Sequence, residues 1–180
     1  MNTFVANTNP SLELMREQLL RYFVAEKHES LIFMFLGLVA IFVGVWLLLT
    51  SGYYSRFQGM AYPFIAVAFV QIIVGSTVYF RTDAQIASLT QQLVAAPAQY
   101  KADEIKRMDV VNKNFTMYKI AEIVLLIVGI AITLLWQHTH PTLYAVGLGL
   151  FVQSALMLAA DLFAEDRAYT YLAAIHSFVA

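Results

Sequence analysis

Phe69-Val70-Gln71 returns later in the chain as Phe151-Val152-Gln153. Each copy lies inside a long apolar run, and each run follows another that is opened by a Lys/Glu pair. That pair is Lys27 and Glu29 in the first half and Lys119 and Glu122 in the second. Tyr62 precedes Phe69 by the same interval at which Tyr144 precedes Phe151. The pattern reads as a helical hairpin made twice, and the runs around it decide what kind of hairpin it is.

Leu31–Thr50 holds no charged residue. Twenty helical residues rise about 30 Å, the thickness of one bilayer hydrocarbon core. Comparable runs occupy 62–80, 119–136 and 143–163. The chain of 180 residues is 60% hydrophobic and only 13% charged, with mean hydropathy +0.66. A water-soluble domain of this size has no core large enough for so much apolar surface. The expected fold is therefore an all-α membrane protein, a single domain over 1–180, with four transmembrane helices from a duplicated hairpin. Gly37, Ala40 and Gly44 form a small-residue stripe on the first span, where another helix can approach closely. Trp46, Tyr53 and Tyr54 mark the far interface. Residues 51–60 read as a polar turn, and Pro63 suits the start of the second span.

The remaining segments are polar. Asn9-Pro10 has the form of a helix start, Asn9 as N-cap and Pro10 in the first turn. Leu12, Met15, Leu19 and Phe23 recur at helical spacing opposite Glu13, Arg16, Glu17 and Arg21. Two readings fit: an amphipathic helix over 10–28 lying in the interface, or the exposed front end of the first span. The 81–117 region is the one sizeable polar stretch and reads as a cytoplasmic helical loop. Thr82-Asp83-Ala84-Gln85 has the letters of a capping box, so a new helix is expected there. Ala95-Ala96-Pro97 breaks it, and a further helix is expected from near Asp103 into the third span. A short Tyr- and Ala-rich tail follows Arg167.

Basic residues set the orientation. With the N-terminus inside, the inner side holds Arg16, Arg21, Lys27, Arg81, Lys101, Lys106, Arg107, Lys113, Lys119 and Arg167, and the outer side only Arg56. Ten against one predicts both termini and the 81–117 region on the cytoplasmic side of a bacterial inner membrane. No cleavable leader pattern opens the chain.

Candidate site residues follow from depth. Gln71 lies ten residues before Arg81, about 15 Å, which is half the apolar core. Gln153 occupies the matching place. An amide there must find a protein partner. It is either an interhelical clamp or the lining of an ion or ligand path. Nearer the inner face lie Glu29, Arg81, Glu122 and Asp161. They read as a belt of ion pairs or, more sharply, as a cytoplasm-facing pocket. The pairs expected are Glu29 or Asp161 with Arg81, and Glu122 with Lys119.

Several chemistries fall away. The chain has no cysteine, so thiolate catalysis and Cys-based metal centres are excluded. His138-Thr139-His140 lacks a neighbouring carboxylate and reads as a polar turn, so no metal and no cofactor is expected. A net charge of −1 argues against nucleic acid. Glu104-x-x-Arg107 is faintly similar to the glutathione-using four-span membrane transferases (the MAPEG group). The spacing to Asn112 departs from that pattern, so no catalytic role is carried over.

Taken together, Ala25-Glu26-Lys27-His28-Glu29-Ser30, Gly75-Ser76-Thr77-Val78-Tyr79-Phe80-Arg81-Thr82 and Lys113-Asn114-Phe115-Thr116-Met117-Tyr118-Lys119 carry a resemblance. Over most of residues 20–167 the chain resembles a group of small, uncharacterised four-span bacterial inner-membrane proteins. The resemblance implies an architecture and no activity. The expectation is a non-enzymatic membrane protein, an accessory subunit or an immunity-type protein, whose partners are membrane lipids, a protein bound through 81–117 and further copies of itself. Two alternatives stand beside it. One is an oligomeric channel or small-solute transporter lined by Gln71 or Gln153. The other is a lipid- or quinone-directed enzyme using Glu29, Glu122 or Asp161 as acid or base.

Overall fold

In the computed structural model, residues 10–50 and 52–179 are described. The expected cap Asn9 and the side chains of Tyr53 and Tyr54 lie outside the described set. Four long α-helices account for nearly all of it: α1 Pro10–Leu49, α2 Ala61–Ala95, α3 Pro97–Trp136 and α4 Pro141–Ser177. A 3₁₀ helix, Gly52–Met60, joins α1 to α2. There is no strand among the described residues. Each long helix carries a segment long and apolar enough to cross a membrane.

The helices do not stop where the apolar runs stop. At about 1.5 Å per residue, 40 residues span about 60 Å, twice a hydrocarbon core. This corrects four expectations. Residues 10–28 are not a separate interfacial helix but the first half of the unbroken α1. Their apolar face, Met15, Leu19 and Phe23, is buried against the other helices. The capping letters at 82–85 start nothing: Thr82 is mid-helix, fully buried, and its hydroxyl donates to the Val78 carbonyl at 2.7 Å. The helix expected near Asp103 begins at Pro97, and the presumed tail is the last part of α4.

Prolines place the starts. Pro97 and Pro141 sit in the first turn of their helices, where a missing N–H costs nothing. Ala96, held extended ahead of a proline, is the whole connection between α2 and α3. Gln92 reaches across this corner to Asp103 at 2.8 Å. At the other end of α4, Lys101 donates to the carbonyls of His176 and Phe178 at 3.0 and 2.6 Å, a cation on a helix C-terminus.

Small residues set how closely the rods approach. Gly37 faces Ala68, Gln71 and Ile72, and Gly75 faces Ser30 and Met34, so α1 and α2 run nearly in backbone contact. On α3, a Cβ at Gly129 would lie 2.6 Å from the Phe151 nitrogen. The two hairpins then meet at three levels. At the loop end, Gly149 packs on Met60 and Pro63. Midway, Gln71 meets Gln153. At the charged end a core of Met15, Leu19, Tyr22, Phe23, Leu93, Tyr100, Met108, Ala168, Tyr171 and Ile175 draws on all four helices.

Candidate functional site

The glutamines resolve first. Gln153 Nε2 donates to Gln71 Oε1 at 2.7 Å, and the two residues are 3% and 1% exposed. The α2 amide and the α4 amide satisfy one another inside the apolar belt, so neither lines a path through the chain.

Toward the charged end the acidic residues do pair, but not as expected. Arg81 lies 3.5 Å from Glu26, and Glu29 is bound by Arg167. Lys119 holds Glu165 at 2.6 Å, and Lys27 holds Asp83 at 2.6 Å. Glu122, expected to meet Lys119, instead meets Asp161 carboxyl to carboxyl. Neither has a basic partner within ion-pair distance among the described residues. Glu122 is 4% exposed, and its Oε2 has no hydrogen-bond partner.

Glu26, Glu29, Asp161 and Arg167 line a cavity of about 360 Å³ between α1, α2 and α4, to which α3 adds Phe115. Its polar end is formed by Glu26, Glu29 and Arg167, and Asp161 lies in its wall. Phe33, Leu36, Val74 and Phe163 supply apolar sides, with Phe163 76% exposed at the rim. Asp161 stands six residues before Arg167 on α4, about 9 Å deeper in the apolar part. Burial raises the Glu26 carboxyl above the ordinary range, against the pull of Arg81, Arg107 and Arg167. Burial in turn lowers the Arg167 guanidinium, which Tyr22 and Glu26 partly offset.

Beyond the cavity a second polar network fills the charged-end core. Glu104, 1% exposed, accepts two hydrogen bonds from Arg107, at 2.7 and 2.8 Å, and one from the Tyr171 hydroxyl at 3.0 Å. The Tyr171 and Tyr100 hydroxyls are 2.8 Å apart. Tyr22 stacks on Tyr171 with ring centroids 4.5 Å apart, and Arg107 lies over the Phe23 ring. Burial, reinforced by Glu26, pushes Tyr22 up to about 12, and burial with Glu104 raises Tyr171 further. Burial disfavours the Arg107 charge, but the Glu104 hydrogen bonds and charge outweigh it and raise the guanidinium. This saturated cluster ties α1, α3 and α4 and offers no reactive group. The Glu104-x-x-Arg107 spacing is thus an i,i+3 ion pair in a core.

Glu26, Arg167 and Tyr171 were not among the expected site residues. The spacing of Ala168, Tyr171 and Ile175 continues a helical stripe past Arg167 and was the available signal for the last. Among the described residues no group of His, Asp and Glu could hold a metal ion.

Comparison with protein-family models, with curated proteins and with solved structures finds no match to this chain.

Proposed function

We propose that the chain is a non-enzymatic multi-pass protein of a bacterial inner membrane that works by presenting its charged end to a protein partner. The two hairpins are taken as a duplication, the charged end and both termini as cytoplasmic, on the ten-to-one distribution of basic residues. The resemblance to small four-span inner-membrane proteins is part of this reading.

One observation carries it. Residues 81–117 belong to two rigid helices, which pack with the ends of α1 and α4 around their own core. The result is a folded projection. Its α3 face presents Asp103, Lys106, Val110, Lys113 and Met117 at helical spacing, all exposed. Val110 is 59% exposed. Mixed charge around isolated apolar side chains is the composition of an ordinary non-obligate interface.

The channel alternative finds less support, since both glutamines that would line it are consumed by one another. The enzyme alternative rests on Glu29, Glu122 or Asp161; Glu29 is held by Arg167, and the other two have no activating partner beyond each other.

Deleting 83–112 would remove Leu93, Tyr100 and Met108 from the core and so test folding rather than contact. The cleaner experiment places a photo-crosslinking residue at Val110 in cells of the native host. A discrete crosslinked protein, lost when Lys106→Glu and Lys113→Glu are added, is the expected result. Crosslinks to nothing but lipid, in a protein that stays folded, would defeat the proposal.

A further inference from the structure

The cavity between α1, α2 and α4 is unevenly charged. At its level each of the neighbouring carboxylates has a cation: Glu26 has Arg81, Glu29 has Arg167 and Glu165 has Lys119. Asp161, in the wall, has Glu122 against it and Glu165 nearby, and no cation among the described residues. Glu122 is buried and Asp161 half-buried; they meet carboxyl to carboxyl with no basic residue on either, so a negative charge on the pair has no counter-charge among the described residues. The cavity offers space beside one of them.

The walls select the form that counter-charge can take. A calcium or magnesium ion needs six or more oxygen ligands. Two of the carboxylates at the cavity, Glu26 and Glu29, are already held by Arg81 and Arg167, and no group of three His, Asp or Glu among the described residues could hold a metal ion. An anionic lipid would bring its phosphate against Glu26, Glu29 and Asp161, with Arg167 already engaged by Glu29. An organic cation meets neither obstacle. Phe33, Phe115 and Phe163 lie along the cavity, and aromatic faces attract such cations. Ile32 and Phe163, both largely exposed, put its rim on the apolar outer surface, where a bilayer-dissolved molecule would arrive.

We infer that this cavity binds a lipophilic organic cation, an ammonium or phosphonium on an apolar body, with Asp161 as its counter-ion and Glu122 as the group behind it. This goes beyond the partner-presenting role and does not depend on it.

The test uses two ions of the same shape and opposite charge, tetraphenylphosphonium and tetraphenylborate. Equilibrium dialysis of each against the full-length protein in a non-ionic detergent compares them directly. Saturable phosphonium binding is expected, at least about tenfold tighter than borate binding, as for a charge pair removed from water. Asp161→Asn should weaken the phosphonium by about tenfold or more, while Asp161→Glu keeps most of the binding. Ala160→Phe, which fills the cavity without touching a charge, should abolish it. Circular dichroism checks that each variant is folded. Should Asp161→Asn not fold, the Ala160→Phe and borate comparisons still decide. Equal uptake of both ions, unchanged binding in folded Asp161→Asn, or no saturable binding of either would each overturn the inference. The crosslinking experiment at Val110 is unaffected by any of these results.

Discussion

Gln153 donates its side-chain N–H to the Gln71 carbonyl oxygen at 2.7 Å, from α4 to α2, with both residues out of reach of solvent. Removing one amide leaves the other stranded. Removing both leaves two apolar surfaces that can close. Gln71→Leu and Gln153→Leu should therefore each destabilise the protein by roughly 1–2 kcal/mol in detergent, and the double variant should be no worse than the poorer single. Thermal unfolding of the four proteins measures this. Simple addition of the two losses would mean that the amides act separately.

Glu104 supports a heavier prediction. It holds the half-buried Arg107 through two hydrogen bonds and receives the Tyr171 hydroxyl. Glu104→Ala leaves a half-buried guanidinium without its carboxylate at the edge of a core, at a cost of about 2–3 kcal/mol, below that of a fully buried pair. Tyr171→Phe removes one neutral donor and should cost about 1 kcal/mol. Denaturant unfolding should rank the two clearly. Equal losses would show that Arg107 finds solvent without Glu104.

The Glu26 carboxyl titrates above the ordinary range because it is buried, facing Tyr22 on its own helix, Arg81 on α2, Arg107 on α3 and Arg167 on α4. A carboxyl whose folded value exceeds its unfolded value binds its proton more tightly when folded. Its contribution is complete below the unfolded value and is lost as pH rises through the folded one. Wild-type stability should thus fall, relative to Glu26→Gln, from about pH 4 toward neutrality. Melting temperatures of both proteins across that interval provide the comparison. A difference that does not vary with pH would mean that Glu26 stays ionised throughout.

Gly129 allows α3 and α4 to touch. A side chain there would begin 2.6 Å from the Phe151 backbone nitrogen and 2.9 Å from the Gly147 carbonyl, neither of which can yield like a flexible side chain. Gly129→Leu should cost about 1–3 kcal/mol or more and loosen the second hairpin. Protection of α4 amides from hydrogen exchange should drop accordingly, while α1 stays protected.

Much of the architecture could be read from residues, and the limits have physical causes. Runs almost free of charge, Leu31–Thr50 and 62–80 wholly so, locate the apolar segments because hydrocarbon disfavours charge whatever the tertiary packing. The same logic misplaces the helix ends. Arg81 marks where the apolar run stops, but the hydrogen-bond ladder of α2 is indifferent to charge and continues to Ala95. Thr82 and Gln85 have the right chemistry for a cap, yet Thr82 serves the interior of a helix equally well by donating to Val78. The glutamine contact was legible because the repeat matched both position and depth. The ion pairs were not, because sequence gives depth along a rod and not which side of it faces a neighbour. Lys119 was matched with the nearby Glu122, but the two face different neighbours, and its partner is Glu165 on α4. Tyr171 is not legible in the sequence because its role depends on α1 and α3 converging on it.

The unbroken helices have a mechanical consequence. No joint separates the apolar halves of these rods from their projecting ends, so the bundle is a set of levers with its fulcrum in the lipid. A bilayer that thins or thickens changes the tilt of embedded helices. A tilt change of about 10° would carry tips that extend about 25 Å beyond the apolar belt sideways by about 4 Å. The surface around Val110 would then shift with the thickness of the surrounding lipid, without any hinge.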